Sequence, residues 1–310
     1  MGSMIRQTTI KNSIKCDGIG LHTGKKVRLT LRPAPTNEGI VFFRTDVTPT
    51  ERIAAHCGNV TSTDLSTTIA TSRTRPSIST IEHLMSAFAG LGIDNAYVDV
   101  DGPEVPIMDG SSAPFVFLIQ SAGKVEQHRY KRIIRVNKQV SCQIEDKWIK
   151  IEPYNGFKID YSIDFNHPVF NDKPASISLD FKDTSYIQDI SRARTFGFVD
   201  QIEALLKKGL CKGGSVDNAI LIDDYHIVNE DGLRYADEFV RHKALDCLGD
   251  LSLFGATILG KITAHKSGHQ LNTALTKALI ADPSSWEIVV NGFEDTDFEE
   301  APQGFVAAYG

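Results

Sequence analysis

Between Lys26 and Arg32 the apolar residues Val27, Leu29 and Leu31 alternate with polar ones, the two-residue period of a strand with one buried face. Ile40 to Phe43 and Ala96 to Val100 are further strand candidates. The period then changes. Ile81, Leu84, Met85, Phe88 and Leu91 fall at i, i+3, i+4, i+7 and i+10, which predicts a helix whose start is capped by Ser79-Thr80. A turn-rich run from Asp101 to Gly110 precedes a second apolar helix, Ala113 to Ala122. The polar stretch Gly123 to Lys131 reads as a domain boundary. Beyond it, alternation resumes at Ile133 to Val136 and Trp148 to Ile151, and a long helical pattern runs from about Tyr235 to Phe254.

Strands therefore precede helices in both halves. The helix at Ile81 contains His83-LMSAFA-Gly90 and the one at Val240 contains His242-KALDCL-Gly249, with equal spacing from His to Gly. The match hints at a duplicated domain. The expected organisation is two domains of strands and helices, one over residues 4–125 and a second over 132–285. Residues 286–310, which carry Glu294, Asp295, Asp297, Glu299 and Glu300, read as a solvated tail.

Composition narrows the functional classes. In 310 residues, 33 Lys and Arg stand against 39 Asp and Glu for a net charge of −6, with no basic footprint for nucleic acid or an anionic membrane. A hydrophobic content of 41% supports a packed core rather than disorder. The pure aliphatic runs, such as Ala219 to Ile222, fall far short of the ~18 residues of a spanning helix. The five cysteines, Cys16, Cys57, Cys142, Cys211 and Cys247, are odd in number and lack any C-x-x-C, so neither a disulfide framework nor a thiolate zinc site is expected. That usage fits the cytoplasm. Met1-Gly2-Ser3-Met4 reads as a cloning remnant, with no secretory signal after it.

Two nucleotide motifs fail. Gly18-Ile-Gly20-Leu-His-Thr23 lacks the third glycine of a dinucleotide fingerprint, and Gly24-Lys25-Lys26 lacks the upstream glycine and the hydroxyl of a P-loop. Gly213-Gly214-Ser215 is no nucleophile elbow. The informative stripe is His242, Asp246 and Asp250, at i, i+4 and i+8 on one side of a Leu-rich helix. It has two readings: a polar face with a local ion pair, or an imidazole and a carboxylate one turn apart that grip a metal. Glu82-His83, at the start of the earlier helix where packing needs neither residue, adds weight to the second. His83 is then a candidate third ligand and Glu82 a candidate base at the same cleft. Two His and one Asp with an open position suit hydrolytic zinc better than magnesium. His269, in Lys266-Ser-Gly-His269, sits on a glycine-containing loop where a catalytic imidazole and a surface one are equally compatible with the pattern. His22 is a candidate cleft residue, while His56, His128, His167, His226 and His265 read as surface or packing residues.

Taken together, these positions resemble the UDP-3-O-acyl-N-acetylglucosamine deacetylases, the zinc amidases of lipid A synthesis in Gram-negative bacteria. The resemblance runs through Gly18-IGLHT-Gly24 in its Gly-rich segment, Leu29 to Pro35, Ser79 to His83, Pro106 to Ser111, Phe165 to Pro168, Ser191 to Phe198, Asp237 to Lys243 and Lys266 to His269, nearly the whole chain up to about Pro283. It implies zinc ligation by His83, His242 and Asp246, with Glu82 as general base and His269 as a protonated imidazole kept charged by Asp250. Thr195 would hydrogen-bond the developing oxyanion. Lys243, Lys266 and Phe196 would meet the substrate.

The resemblance further implies two similar α+β domains, with helices sandwiched between two sheets, and a βαβ insert in the second domain around 198–221. Ile202, Cys211, Gly214, Ser215 and Val216 would line its passage for a fatty acyl chain. Many relatives carry a bulkier aromatic near Val216, and some carry cysteines near Thr63, where this chain has hydroxyls. The expected protein is a monomeric cytoplasmic hydrolase acting on an acylated UDP-sugar. The rival from another class is a non-catalytic sugar-nucleotide or lipid-binding protein with structural zinc; Glu82, a ligand in neither case, favours the enzyme.

Overall fold

The structure, a computed structural model, describes residues 5–289. The helices are α1 (Glu82–Leu91), α2 (Ala113–Ala122), α3 (Val199–Lys207), α4 (Glu238–Leu251) and α5 (His269–Ala281). The first sheet places five strands in the order Ile14–Ile19, Lys26–Pro33, Ala96–Val100, Ile40–Arg44, Glu51–Ala54. Its third and fourth strands run parallel and every other neighbouring pair is antiparallel. The alternation seen in the sequence sets the faces: Val27, Leu29 and Leu31 are buried while Lys26 and Arg28 face solvent.

The second sheet repeats that plan. Val140–Ile144, Lys147–Glu152, Thr257–His265, Phe157–Ser162 and Ser176–Asp180 lie side by side, again with only the third and fourth parallel. In each half the parallel pair is joined by a crossover that contains one long buried helix, α1 in the first and α4 in the second, and a further helix, α2 or α5, follows the returning strand. The duplication hinted at by the two His-to-Gly segments is thus present in the topology. Two additions mark the second sheet: Ile133–Val136 runs parallel to the start of Thr257–His265, and Trp286–Val289 pairs with it antiparallel.

Helices α1, α2, α4 and α5 form the inner layer. α1 and α4 pack against each other, α2 leans on α1, and α5 covers α4 and the strands Val140–Ile144 and Lys147–Glu152. Eight of the residues of α1, from Glu82 to Phe88 and Leu91, are buried, as befits a helix covered on all sides. Phe42, Phe88, Phe115, Phe239 and Tyr161 are the largest wholly buried side chains of the shared core. Outside the two sheets, Phe196–Phe198 and Ile220–Ile222 run parallel with α3 between them, a βαβ unit on the second half. The expected insert is present and slightly wider, from 196 to 222.

Several boundaries differ from expectation. The stretch expected to be a polar boundary is the strand Lys124–Tyr130, paired antiparallel with Arg6–Ile10. Its side chains are mostly exposed, so it shows no apolar period, and backbone pairing carries it. The expected tail from 286 begins instead as the edge strand Trp286–Val289, anchored by Trp286 Nε1 donating to the Leu279 carbonyl at 2.8 Å. The acidic residues from Glu294 onward lie outside the described residues. Helix α1 is capped by neither Ser79 nor Thr80: Ile81 holds the cap position, and Thr80, at φ 57°, turns its hydroxyl to Glu104.

Candidate metal centre and active site

The junction of α1 and α4 is also where the ionisable residues collect. His83 stands in the first turn of α1, and His242 and Asp246 stand one turn apart on α4, all three at least 95% buried. Asp246 Oδ1 lies 3.5 Å from His83 Nε2 and 3.4 Å from His242 Nε2. The two imidazoles meet edge to face with centroids 4.9 Å apart. His242 Nδ1 sits 3.0 Å from the Ala193 carbonyl, which assigns its proton there and leaves Nε2 as a free donor of electrons. Burial pushes the His242 pKa down to about 3, so the ring is neutral as ligation requires.

These residues fit a bound cation. Asp246 Oδ1 is buried with no hydrogen-bond partner, a costly arrangement unless something else satisfies it. The edge of a tetrahedron with ligand bonds of about 2.0–2.1 Å is roughly 3.3–3.4 Å, close to the measured separations. Burial opposes ionisation of Asp246, but the Lys243 ammonium, 2.7 Å from Oδ2, outweighs it and holds the carboxyl well below its ordinary pKa. Among the described residues, His83, His242 and Asp246 are the one such cluster of three.

A second group of polar side chains borders the first. Glu82 is 3% exposed; its Oε2 accepts the Thr67 amide at 3.0 Å and its Oε1 lies 3.7 Å from His269 Nε2. Burial raises its pKa, against the pull of His269 and His83. His269 is the first residue of α5 rather than a loop residue, and its Nδ1 meets Asp250 Oδ2 at 2.8 Å. Burial alone would lower this imidazole, but Asp250 and Glu82 prevail and raise it to about 9. Asp250 Oδ1 accepts the Thr67 hydroxyl at 2.6 Å, and Oδ2 also accepts Asn272 Nδ2 at 2.9 Å. Periodicity singled out neither Thr67 nor Asn272. Thr67 lies in a loop of hydroxyl residues, and the one signal for Asn272 was its spacing of three from His269.

The other expected site residues fall in three places. Lys243 is beside the cluster, its Nζ on Asp246 Oδ2 at 2.7 Å. Thr195 follows the Ala193 carbonyl by two residues, its own amide bound to the Gly110 carbonyl at 2.8 Å. Phe196 packs on Phe239 of α4 and on Phe165, with ring centroids at 5.0 and 5.6 Å. On the insert, α3 buries none of its residues fully, and Leu206 and Val216 are 47% and 46% exposed. Ile202, Cys211, Gly214 and Ser215 belong to the same unit, where Cys211 Sγ stands 3.7 Å from His22 Nδ1. Lys266 is bound to Asp146 at 2.6 Å and to Asp164 at 3.2 Å, so two carboxylates already offset its charge.

A cavity of about 300 Å³ opens beside the strand Phe196–Phe198, lined by Phe165, His167, Phe198 and Ile222 and by the exposed Asp200, Asp223 and Asp224. It holds none of the clustered ionisable residues. His167, read from sequence as packing or surface, packs there against Phe198 with centroids 5.2 Å apart and ring planes tilted by 53°.

An α+β pair of sheets with a buried His-His-Asp cluster and adjacent acid–base groups defines a class of metal-dependent hydrolase. Residues 7–281 match the family model described as UDP-3-O-acyl N-acetylglycosamine deacetylase. Curated relatives named UDP-3-O-acyl-N-acetylglucosamine deacetylase include that of Thioalkalivibrio sulfidiphilus, 54% identical over 96% of this chain and 97% of its own length. The protein of Nitrosococcus oceani is 54% identical over 95% of both chains, and that of Coxiella burnetii 52% identical over 92% of this chain and 94% of its own. The chain belongs to the UDP-3-O-acyl-N-acetylglucosamine deacetylase family.

Proposed function

We propose that this chain removes the N-acetyl group of UDP-3-O-(3-hydroxyacyl)-N-acetylglucosamine, releasing acetate and a free amine early in lipid A biosynthesis. The observation that carries this reading is the pairing of Glu82 and His269 beside a His-His-Asp cluster to which neither belongs. A purely structural metal site has no use for a buried carboxylate and a charged imidazole at its edge. Zinc, held by His83, His242 and Asp246, would supply a Lewis acid for the amide carbonyl and make water acidic enough to ionise near neutral pH.

Glu82 then takes the proton of the attacking water. Its raised pKa makes it a better base than an ordinary carboxylate, and the Thr67 amide on Oε2 leaves Oε1 for the exchange. His269, charged at neutral pH, stabilises the negative oxygen of the tetrahedral species and gives its Nε2 proton to the leaving amine as the C–N bond breaks. Asp250 fixes the ring through Nδ1. Thr195 adds a hydroxyl donor to the same oxygen.

Substrate placement follows from polarity. The half-exposed apolar residues of the insert, Ile202, Leu206 and Val216 with Cys211, Gly214 and Ser215 nearby, would receive the acyl chain. The aromatic walls of Phe165 and Phe198 suit a flat base, while the acidic rim of that cavity repels a diphosphate. The diphosphate sugar is thereby directed toward Lys243 and Phe196, with Lys266 reaching it only by exchange from Asp146 and Asp164. Five free cysteines support a reducing cytoplasm, and we take the monomer as the working unit. The test is acetate release by metal-loaded protein from acylated and unacylated UDP-N-acetylglucosamine. Rapid turnover of the first alone is expected; turnover of neither would leave the binding protein.

A further inference from the structure

Asp250 is 1% exposed and accepts three hydrogen bonds, from His269 and Asn272 at Oδ2 and from the Thr67 hydroxyl at Oδ1. Thr67 is itself wholly buried, in the loop just before the short strand Thr68–Ile69. Its amide donates to Glu82 Oε2 at 3.0 Å, and its carbonyl accepts from the Ile81 amide at 3.4 Å, next to the start of α1. One residue thus touches the carboxylate of the base and the carboxylate that orients the acid. Glu82 comes from the first half of the chain and Asp250 from the second.

We propose that Thr67 is a positioning residue that sets Glu82 and His269 in register with each other. A carboxylate only accepts, so the Thr67 hydroxyl must donate to Asp250, and the bond is charge-assisted. With Oδ1 taken by Thr67 and Oδ2 by Asn272 and His269, the Asp250 carboxylate cannot rotate, and the His269 ring is held with Nε2 toward Glu82 Oε1. The amide of the same residue fixes the other oxygen of Glu82. Because amide and hydroxyl belong to one residue, their separation is set by covalent geometry, and the two proton-transfer groups keep one relative placement through the reaction. Val in this position would preserve volume and the amide while leaving Asp250 Oδ1 buried without a donor.

The inference rests on the roles given above to Glu82 and His269, and the test separates the two. Zinc-loaded full-length Thr67→Val, Thr67→Ala and Thr67→Ser are compared with Glu82→Gln and His269→Gln for kcat, KM and metal content on the acylated substrate. Thr67→Val and Thr67→Ala should each lose about tenfold or more in kcat, with KM and metal content near those of the parent. Thr67→Ser, which keeps the hydroxyl, should recover most of that loss. Should Val not fold, Ala decides, since it removes the hydroxyl, keeps the amide and places no apolar methyl against Asp250 Oδ1. Parental kcat in Thr67→Ala beside crippled Glu82→Gln and His269→Gln overturns the inference alone, as does a Ser variant no better than Ala. Normal turnover by Glu82→Gln and His269→Gln overturns the underlying assignment, and this one with it.

Discussion

Gly249 of α4 lies directly against the backbone of Glu82 in α1: a methyl group on Gly249 would stand 2.1 Å from the Glu82 carbonyl oxygen and 3.1 Å from the Ser86 amide. The contact sits between the helix positions that carry His83 on one side and Asp246 and Asp250 on the other. Gly249→Ala must therefore push the helices apart. We expect a stability loss of about 1–3 kcal/mol, as for an overpacked core, together with weaker metal binding. A denaturant midpoint and a metal titration on one sample check both effects; unchanged metal affinity in a destabilised variant would separate the helix contact from the site.

Glu82 and His83 are neighbours in sequence but differ in what they touch. Glu82→Gln keeps all three candidate ligands, so it should retain its metal and lose roughly 10²–10⁴-fold in kcat with little change in KM. His83→Ala leaves His242 and Asp246 alone, and its deficit should lie in metal content, partly reversed by added zinc. Metal analysis alongside steady-state kinetics distinguishes them. A Glu82→Gln protein with parental kcat would falsify the assignment of the base.

His269 should titrate near 9 in metal-free protein, well above its ordinary 6.5, because Asp250 and Glu82 outweigh its burial. A raised folded-state pKa means that the stability contributed by the imidazolium is complete below the unfolded value and is lost as pH rises through about 9. Asp250→Asn should lower the titration and shift that loss to lower pH. Binding of a cation nearby should lower it as well, since like charges repel. NMR of the labelled ring, with and without metal, reads all three directions.

The insert predicts a dependence on acyl length. Each methylene buried against Leu206 and Val216 is worth about 0.8 kcal/mol, so unacylated substrate should be turned over very poorly. Val216→Phe fills part of the half-exposed apolar surface and should shorten the preferred chain more than it changes kcat. A series of acyl lengths assayed for kcat/KM checks this, and equal values with and without the acyl group would remove the passage.

Elements with a buried face were legible from the chain alone. The strand around Val27, Leu29 and Leu31 and the helix around Leu84, Met85 and Phe88 carry their period because one side of each meets the core. Lys124–Tyr130 was not legible, since its exposed side chains leave no period and its partner, Arg6–Ile10, is more than a hundred residues away. The His242 and Asp246 stripe could be read because helix spacing places both on one side. Thr67 could not, because its importance comes from a loop folding onto two helices, and loop conformation leaves no repeat in sequence. For Lys266, which the family resemblance places at the substrate, the partners Asp146 and Asp164 become visible only once the chain is folded.

The two sheets of identical strand order also bear on mechanics. Since His83 belongs to one copy of the repeat and His242 with Asp246 to the other, a cation held by all three would join the two copies. Any ion that prefers the joined arrangement adds its binding free energy to the cohesion of the halves, by RT ln(1 + [L]/Kd). Such a metal would be a rivet as well as a reagent, and its removal should loosen hydrogen exchange along α1 and α4 before it reaches the outer strands.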